Sequence, residues 1–158
     1  MEKIIVEGGK RLSGEVDISS AKNAVLPIIA ASILSGKKSR IIDAPLLQDV
    51  YVITEVLKSI NANVNIDKSK KEIIIDTSSV KSVEPDSELV RKMRASFLIM
   101  GPMVARFGRF KISLPGGCNI GSRPIDLHLK GFTALGAKVS FGHGHVEAYA
   151  PRLIGNKI

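Results

Sequence analysis

A chain of 158 residues with 44% hydrophobic and 24% charged side chains has the size and composition of one globular domain, which excludes a disordered or collagen-like polymer. Twenty-three Lys and Arg against 15 Asp and Glu give a net charge of +8, so anionic partners are favoured. The 4% aromatic content and the lack of Trp argue against base stacking on single strands and leave small phosphorylated ligands ahead of nucleic acid.

The apolar run from Ala24 to Ile33 is broken by Pro27 and is too short to span a bilayer. The opening MEKIIVEGG lacks the basic start and apolar core of a signal peptide, and the single cysteine, Cys118, can form no internal disulfide. A cytoplasmic, membrane-free protein is expected.

In chain order, strands are predicted at Lys3–Glu7 and Gly14–Ile18. A helix is predicted over Asn23–Ser35, with Pro27 near its first turn and Gly36 as a left-handed stop. Strand Arg40–Ile42 leads through Pro45 into a helix from about Asp49, whose apolar face is Val52, Ile53, Val56, Leu57 and Ile60. A hairpin of Asn63–Asp67 and Glu72–Asp76 follows, with a charged tip. Pro85-Asp86-Ser87-Glu88 reads as the start of a helix on which Leu89, Met93, Phe97 and Met100 share one face. Beyond it lie strand Lys111–Leu114, a turn at Pro115-Gly116-Gly117, a helix over Ile125–Leu135, and a hairpin of Lys138–Phe141 with Val146–Ala150.

Leu57-Ile60-Ala62-Val64-Ile66 superposes on Phe132-Leu135-Ala137-Val139-Phe141 at a constant offset of 75 residues. Two helix-strand-helix-hairpin blocks, 22–83 and 84–150, are therefore expected, in an α/β (α+β) arrangement of helices on small sheets with mixed strand directions. Pro151 to Ile158 would begin a third, as in an N-terminal fragment of a longer repeat protein.

The segment Leu114-Pro-Gly-Gly-Cys-Asn-Ile-Gly-Ser-Arg-Pro-Ile-Asp-Leu-His128 carries the chemistry. Its glycines permit close backbone approach to a ligand, and Cys118 lies five residues before Arg123 and ahead of a helix N-terminus, surroundings that lower a thiol pKa. The bland alternative is a buried, inert thiol. Arg123 can present a forked donor to phosphate or carboxylate, while Asp126 either faces a ligand or only complements the helix dipole. Lys22 opens an apolar helix against its dipole, which suggests a ligand unless its stem simply reaches solvent. Arg91, Lys92 and Arg94 diverge around one helix and read as mostly surface charge. His143 and His145 lack a third ligand, so no metal is expected there.

Together, Lys22-Asn23, Met93-Arg94-Ala95-Ser96, the run Gly101 to Gly108, Leu114 to Cys118 and Gly121 to His128 closely resemble the UDP-N-acetylglucosamine enolpyruvyl transferase (1-carboxyvinyltransferase) family. The resemblance runs over all 158 residues and covers well under half of the family's chain. It implies an enolpyruvyl transferase-like fold of two domains, each built from three βαβαββ units about a pseudo-threefold axis, with substrates in the cleft between them. Residues 1–21 would then belong to the second domain and 22–158 to a truncated first one.

The resemblance further implies transfer of the enolpyruvyl group of phosphoenolpyruvate to the sugar 3′-hydroxyl, the first committed step of peptidoglycan synthesis, without a cofactor. Cys118 corresponds to the proton donor that the epoxide antibiotic fosfomycin alkylates. Lys22, Asn23 and Arg123 correspond to phosphoenolpyruvate-binding positions, and Arg94, Arg123, Pro124, Ile125, Asp126 and Leu127 to nucleotide-sugar-binding ones. The implied partners are these two substrates and the missing remainder of the chain. The shikimate 3-phosphate enzyme shares the fold, but the cysteine in the glycine loop and Arg-Pro-Ile-Asp speak against it. A basic nucleic-acid-binding module or a noncatalytic relic is the reading from another class.

Overall fold

A computed structural model describes residues 3–81, 84–114 and 125–157. Helix α1 (Lys22–Ala31) tightens into a 3-10 turn over Ser32–Ser35, and Gly36 closes it at φ 61°, a left-handed angle that glycine adopts without strain. Pro27 lies at the sixth helical position, farther in than expected, and is tolerated on the exposed face of α1. Strand β1 (Lys38–Ile41), helix α2 (Gln48–Ser59) and the hairpin β2 (Asn63–Asp67) with β3 (Glu72–Asp76) complete the first block.

The second block begins with α3 (Ser87–Arg91), capped by Asp86 Oδ1, which accepts from the Leu89 amide at 3.0 Å. The single helix expected through Leu89, Met93, Phe97 and Met100 is instead broken. Met93 is extended (φ −149°, ψ 129°), a 3-10 segment spans Arg94–Ile99, and α4 (Met100–Phe107) follows. Val90, Met93, Phe97 and Met100 are all buried, so the apolar period reports a shared core face and not one unbroken hydrogen-bond ladder. Gly108 closes α4 at φ 72°. Then come β4 (Arg109–Ser113), α5 (Asp126–Ala134) and the hairpin β5 (Lys138–Gly142) with β6 (His145–Tyr149).

Each block forms a three-stranded sheet, ordered β1-β3-β2 and β4-β6-β5. Every neighbouring pair is antiparallel. The first and second strands of a block do point the same way, but the third lies between them. The repeat extends to single hydrogen bonds. Ala62 N–H donates to Leu57 O at 3.0 Å and Ala137 N–H to Phe132 O at 2.9 Å, while Thr77 N–H donates to Lys37 O and Ala150 N–H to Gly108 O. Ile73 and Ile75 of one sheet, Val146 and Ala148 of the other, and Ile29, Ile53, Leu57, Met100 and Met103 of the helices build one buried cluster. Arg106 of α4 ties the blocks together, its Nη1 donating to Ile33 O at 3.0 Å and Thr77 O at 2.9 Å.

Two expected features are absent from the described residues. Lys3–Glu7 and Gly14–Ile18 form no strand: Ile4, Ile5, Val6, Leu12, Val16 and Ile18 are each at least 84% exposed, and a strand needs a partner that no described segment supplies. Residues 151–157 form no strand. They cross the end of α5, where Ile154 N–H donates to Leu135 O and Asn156 Nδ2 to Ala134 O, satisfying carbonyls the helix leaves open.

The turns after β2 and β3 make acid sensitivity an expected result. Ser69 and Ser78 hydroxyls donate to the carboxylates of Asp67 and Asp76, each at 2.6 Å, and hold both carboxyls below their ordinary value. A depressed folded-state value contributes stability above the unfolded value near pH 4, lost as pH falls through the folded one. Stability of the parent should therefore fall as pH drops below about 4. Ser69→Ala/Ser78→Ala should flatten that decline in urea titrations; an unchanged pH slope would contradict the assignment.

Candidate functional site

The described candidate residues share one local setting: each sits where a helical element begins. Lys22 and Asn23 are the first two residues of α1, Arg94 is the first of the 3-10 segment, Ile125 is the N-cap of α5, and Asp126 and Leu127 are its first two residues. Helix starts carry unsatisfied N–H groups and the positive end of the dipole, so α1 and α5 both present positions suited to a phosphate or carboxylate. Neither has a side-chain cap hydrogen bond at its N-cap residue.

The Lys22 ammonium lies 2.8 Å from Asp49 Oδ2, in the first turn of α2. Two residues before it, the Ser20 hydroxyl donates to the backbone carbonyl of Asp43, tying the entry of α1 to the loop after β1. Asn23 is exposed and Arg94 half-buried. The break at Met93 also separates Arg94 from Arg91 and Lys92, which the sequence pattern had grouped on one helix; Arg91 pairs with Glu88 at 3.6 Å.

The 3-10 segment and α5 meet through Phe97 and His128, whose rings lie 5.7 Å apart at 56°. Arg94 and the Asp126-Leu127 turn therefore sit on neighbouring elements. Asp126 and Leu127 are exposed and Ile125 half-buried. Asp126 occupies the first helical position, where a carboxylate favours the dipole whether or not a ligand is present. The readings made on Cys118, Arg123 and Pro124 fall on positions outside the described residues.

His143 lies in the tight turn between β5 and β6, while His145 is the first residue of β6 and folds its ring over Gly142, where a Cβ would lie 2.3 Å from the imidazole. Among the described residues no three His, Cys, Asp or Glu side chains are grouped to hold a metal ion, and no helix is long and apolar enough to cross a membrane. Sequence reasoning did not single out Asp49. The signal for it was indirect: a lysine at a helix start needs a nearby anion, and Asp49 opens the next apolar helix.

These helix starts, set on a repeated α/β scaffold, present backbone donors suited to anions. The chain belongs to the EPSP synthase (3-phosphoshikimate 1-carboxyvinyltransferase) family, whose family model matches residues 6–155. Over all 158 residues it is 69% identical to UDP-N-acetylglucosamine 1-carboxyvinyltransferase 2 of Clostridium tetani and 65% identical to UDP-N-acetylglucosamine 1-carboxyvinyltransferase 1 of Clostridium acetobutylicum. It is 56% identical to the Carboxydothermus hydrogenoformans protein of the same name numbered 2. The whole of this chain is covered, but it spans only 38%, 38% and 37% of those relatives. The fold is similar to the crystal structure of the enolpyruvyl transferase NikO from Streptomyces tendae, with a TM-score of 0.76 at 24% identity over 93% of this chain and 32% of that one.

Proposed function

We propose that this chain is the first part of an enzyme that transfers the enolpyruvyl group of phosphoenolpyruvate to the 3′-hydroxyl of UDP-N-acetylglucosamine. The observation that carries this reading is the 69% identity, along the whole chain, to a relative named for that transfer. The family description names the shikimate 3-phosphate reaction, but the relatives at 56–69% identity are named for the nucleotide sugar. The placement of Lys22, Asn23, Asp126 and Leu127 at helix starts supports it, because both substrates carry phosphate. A basic nucleic-acid-binding module draws no support from the comparisons.

In this reading Lys22, Asn23 and Arg123 hold phosphoenolpyruvate, while Arg94, Arg123, Pro124, Ile125, Asp126 and Leu127 hold the nucleotide sugar. The sugar oxygen bonds to C2, its proton leaves to a carboxylate outside this chain, and the Cys118 thiol gives a proton to C3. The C2–O bond to phosphate then breaks, inorganic phosphate departs, and C3 returns a proton to restore the enol ether. A thiol poised near neutrality suits this give-and-return step. Residues 1–21 belong with a second domain and 22–158 with the first, so the cleft closes only in the longer protein, and its reaction belongs in the cytoplasm at the start of wall synthesis.

Calorimetric titration of this chain with UDP-N-acetylglucosamine, shikimate 3-phosphate and a short single-stranded oligonucleotide tests the reading. Saturable binding of the nucleotide sugar alone is expected, weakened at least about tenfold by Arg123→Ala, the loss of a forked charged contact. The chain alone should release no phosphate from the substrate pair, because half a cleft cannot exclude water. Binding only to the oligonucleotide, falling steeply with salt, would overturn the proposal.

A further inference from the structure

The entry of α1 is unusual in its electrostatics. Its N-cap residue, Ala21, has no side chain to offer, its first turn contains no acid, and its first residue is a lysine set against the helix dipole. The missing negative charge comes from another element: Asp49, 27 residues on, reaches Lys22 Nζ at 2.8 Å from the first turn of α2. The Lys22 side chain is 44% exposed and that of Asp49 35%, so the pair contributes little to stability. It does fix the direction of a long, flexible side chain. One contact to Asp49 leaves the other ammonium hydrogens available to an incoming anion. The Ser20 bond to Asp43 O anchors the backbone two residues before Lys22 to the same β1–α2 connection, and Asp43 itself is left-handed at φ 50°.

We propose that Asp49 is the positioning residue for Lys22, holding its ammonium at the start of α1 so that the phosphate of phosphoenolpyruvate meets a cation already aimed. This rests on the reading of Lys22 as a phosphoenolpyruvate ligand. Asp49 does not touch the substrate; it removes rotamer freedom that Lys22 would otherwise lose on binding.

The sign of one substitution separates this from plain electrostatics. Asp49→Asn makes the protein more positive, and a purely electrostatic role predicts tighter binding of an anion. A positioning role predicts weaker binding. Calorimetric titration of the chain with phosphoenolpyruvate should show Asp49→Asn raising Kd roughly threefold to tenfold, the scale of immobilising one long side chain. UDP-N-acetylglucosamine binding should be unmoved, and Asp49→Glu should restore most of the phosphoenolpyruvate affinity. Lys22→Ala should lose more, and adding Asp49→Asn to it should change nothing further.

If Lys22→Ala weakens phosphoenolpyruvate binding while Asp49→Asn leaves it unchanged or tighter, the positioning role is overturned and the ligand reading stands. An equal loss from Asp49→Asn in the Lys22→Ala background overturns it too, because Asp49 would then act without Lys22. If the parent chain does not bind phosphoenolpyruvate, or Lys22→Ala binds it as the parent does, both fall. Should Asp49→Asn lower the unfolding midpoint, Asp49→Glu decides: restored stability without restored affinity overturns the proposal.

Discussion

Arg106→Ala is expected to destabilise the protein by about 3 kcal/mol, the scale of removing charge-assisted hydrogen bonds and leaving their acceptors unpaired. The side chain reaches from α4 of the second block to two carbonyls of the first, Ile33 O where the first 3-10 turn ends and Thr77 O just past β3. Gly36 lies beneath the guanidinium, where a Cβ would come within 3.2 Å of Nη2, so the left-handed glycine also makes room for the contact. Thr77 is fully buried, and its hydroxyl donates to Ser32 O or Lys37 O, each at 3.3 Å, without replacing Arg106. Arg106→Lys should recover only part, since an ammonium lacks the planar group that lies 4.7 Å from the Phe107 ring centroid. Urea denaturation measures the loss, and a change below about 0.5 kcal/mol would show that the two contacts do not hold the blocks together. Lys22 and Asn23 lie in the first block and Arg94 and Asp126 in the second, so loosening the clamp should also weaken ligands that need both.

Phe110→Ser should be costlier, about 3–5 kcal/mol for a large buried aromatic side chain. The repeat places Phe110 where the first block has Ser39, and the cross-strand partners compensate. Ser39 faces Ile75, whereas Phe110 faces Ala148, so each sheet has one large and one small side chain at this level. Both Phe110 and Ala148 are fully buried. Ala148→Ile alone should overpack the site by about 1–3 kcal/mol. Phe110→Ser/Ala148→Ile installs the first block's pair in the second, and the double mutant should be more stable than the sum of the single losses by about 1 kcal/mol or more. Additive losses in urea denaturation would mean that the two positions do not share one packing volume.

The parts legible from sequence were those fixed by local pattern. Asn63–Asp67 and Glu72–Asp76 appear with the expected bounds because alternating side chains and a polar four-residue turn determine a hairpin by themselves. Gly36 marks a helix end as expected because few other residues take a left-handed angle comfortably. The break at Met93 was not legible: an extended residue between two short helical pieces leaves the apolar spacing intact. Nor was the state of residues 3–20, since alternation announces a strand but cannot supply its partner. For the site, the oddity of Lys22 was visible as a charge against a dipole, while its relation to Asp49 depends on how α1 packs on α2, which no local pattern encodes.

The two blocks differ most in one connection. Residues 42–47 join β1 to α2, whereas 114–125 join β4 to α5, a path twice as long that contains Cys118 and Arg123. The offset between register-equivalent residues grows from 71, between Ser39 and Phe110, to 75, between Leu57 and Phe132, so the second block is four residues longer across this junction, and the bounds of the flanking elements account for the rest. Closure entropy rises only with the logarithm of loop length, about 0.6 kcal/mol per doubling. A repeated scaffold can thus carry a connection twice as long at this junction with almost no thermodynamic consequence for the sheet and helix it joins.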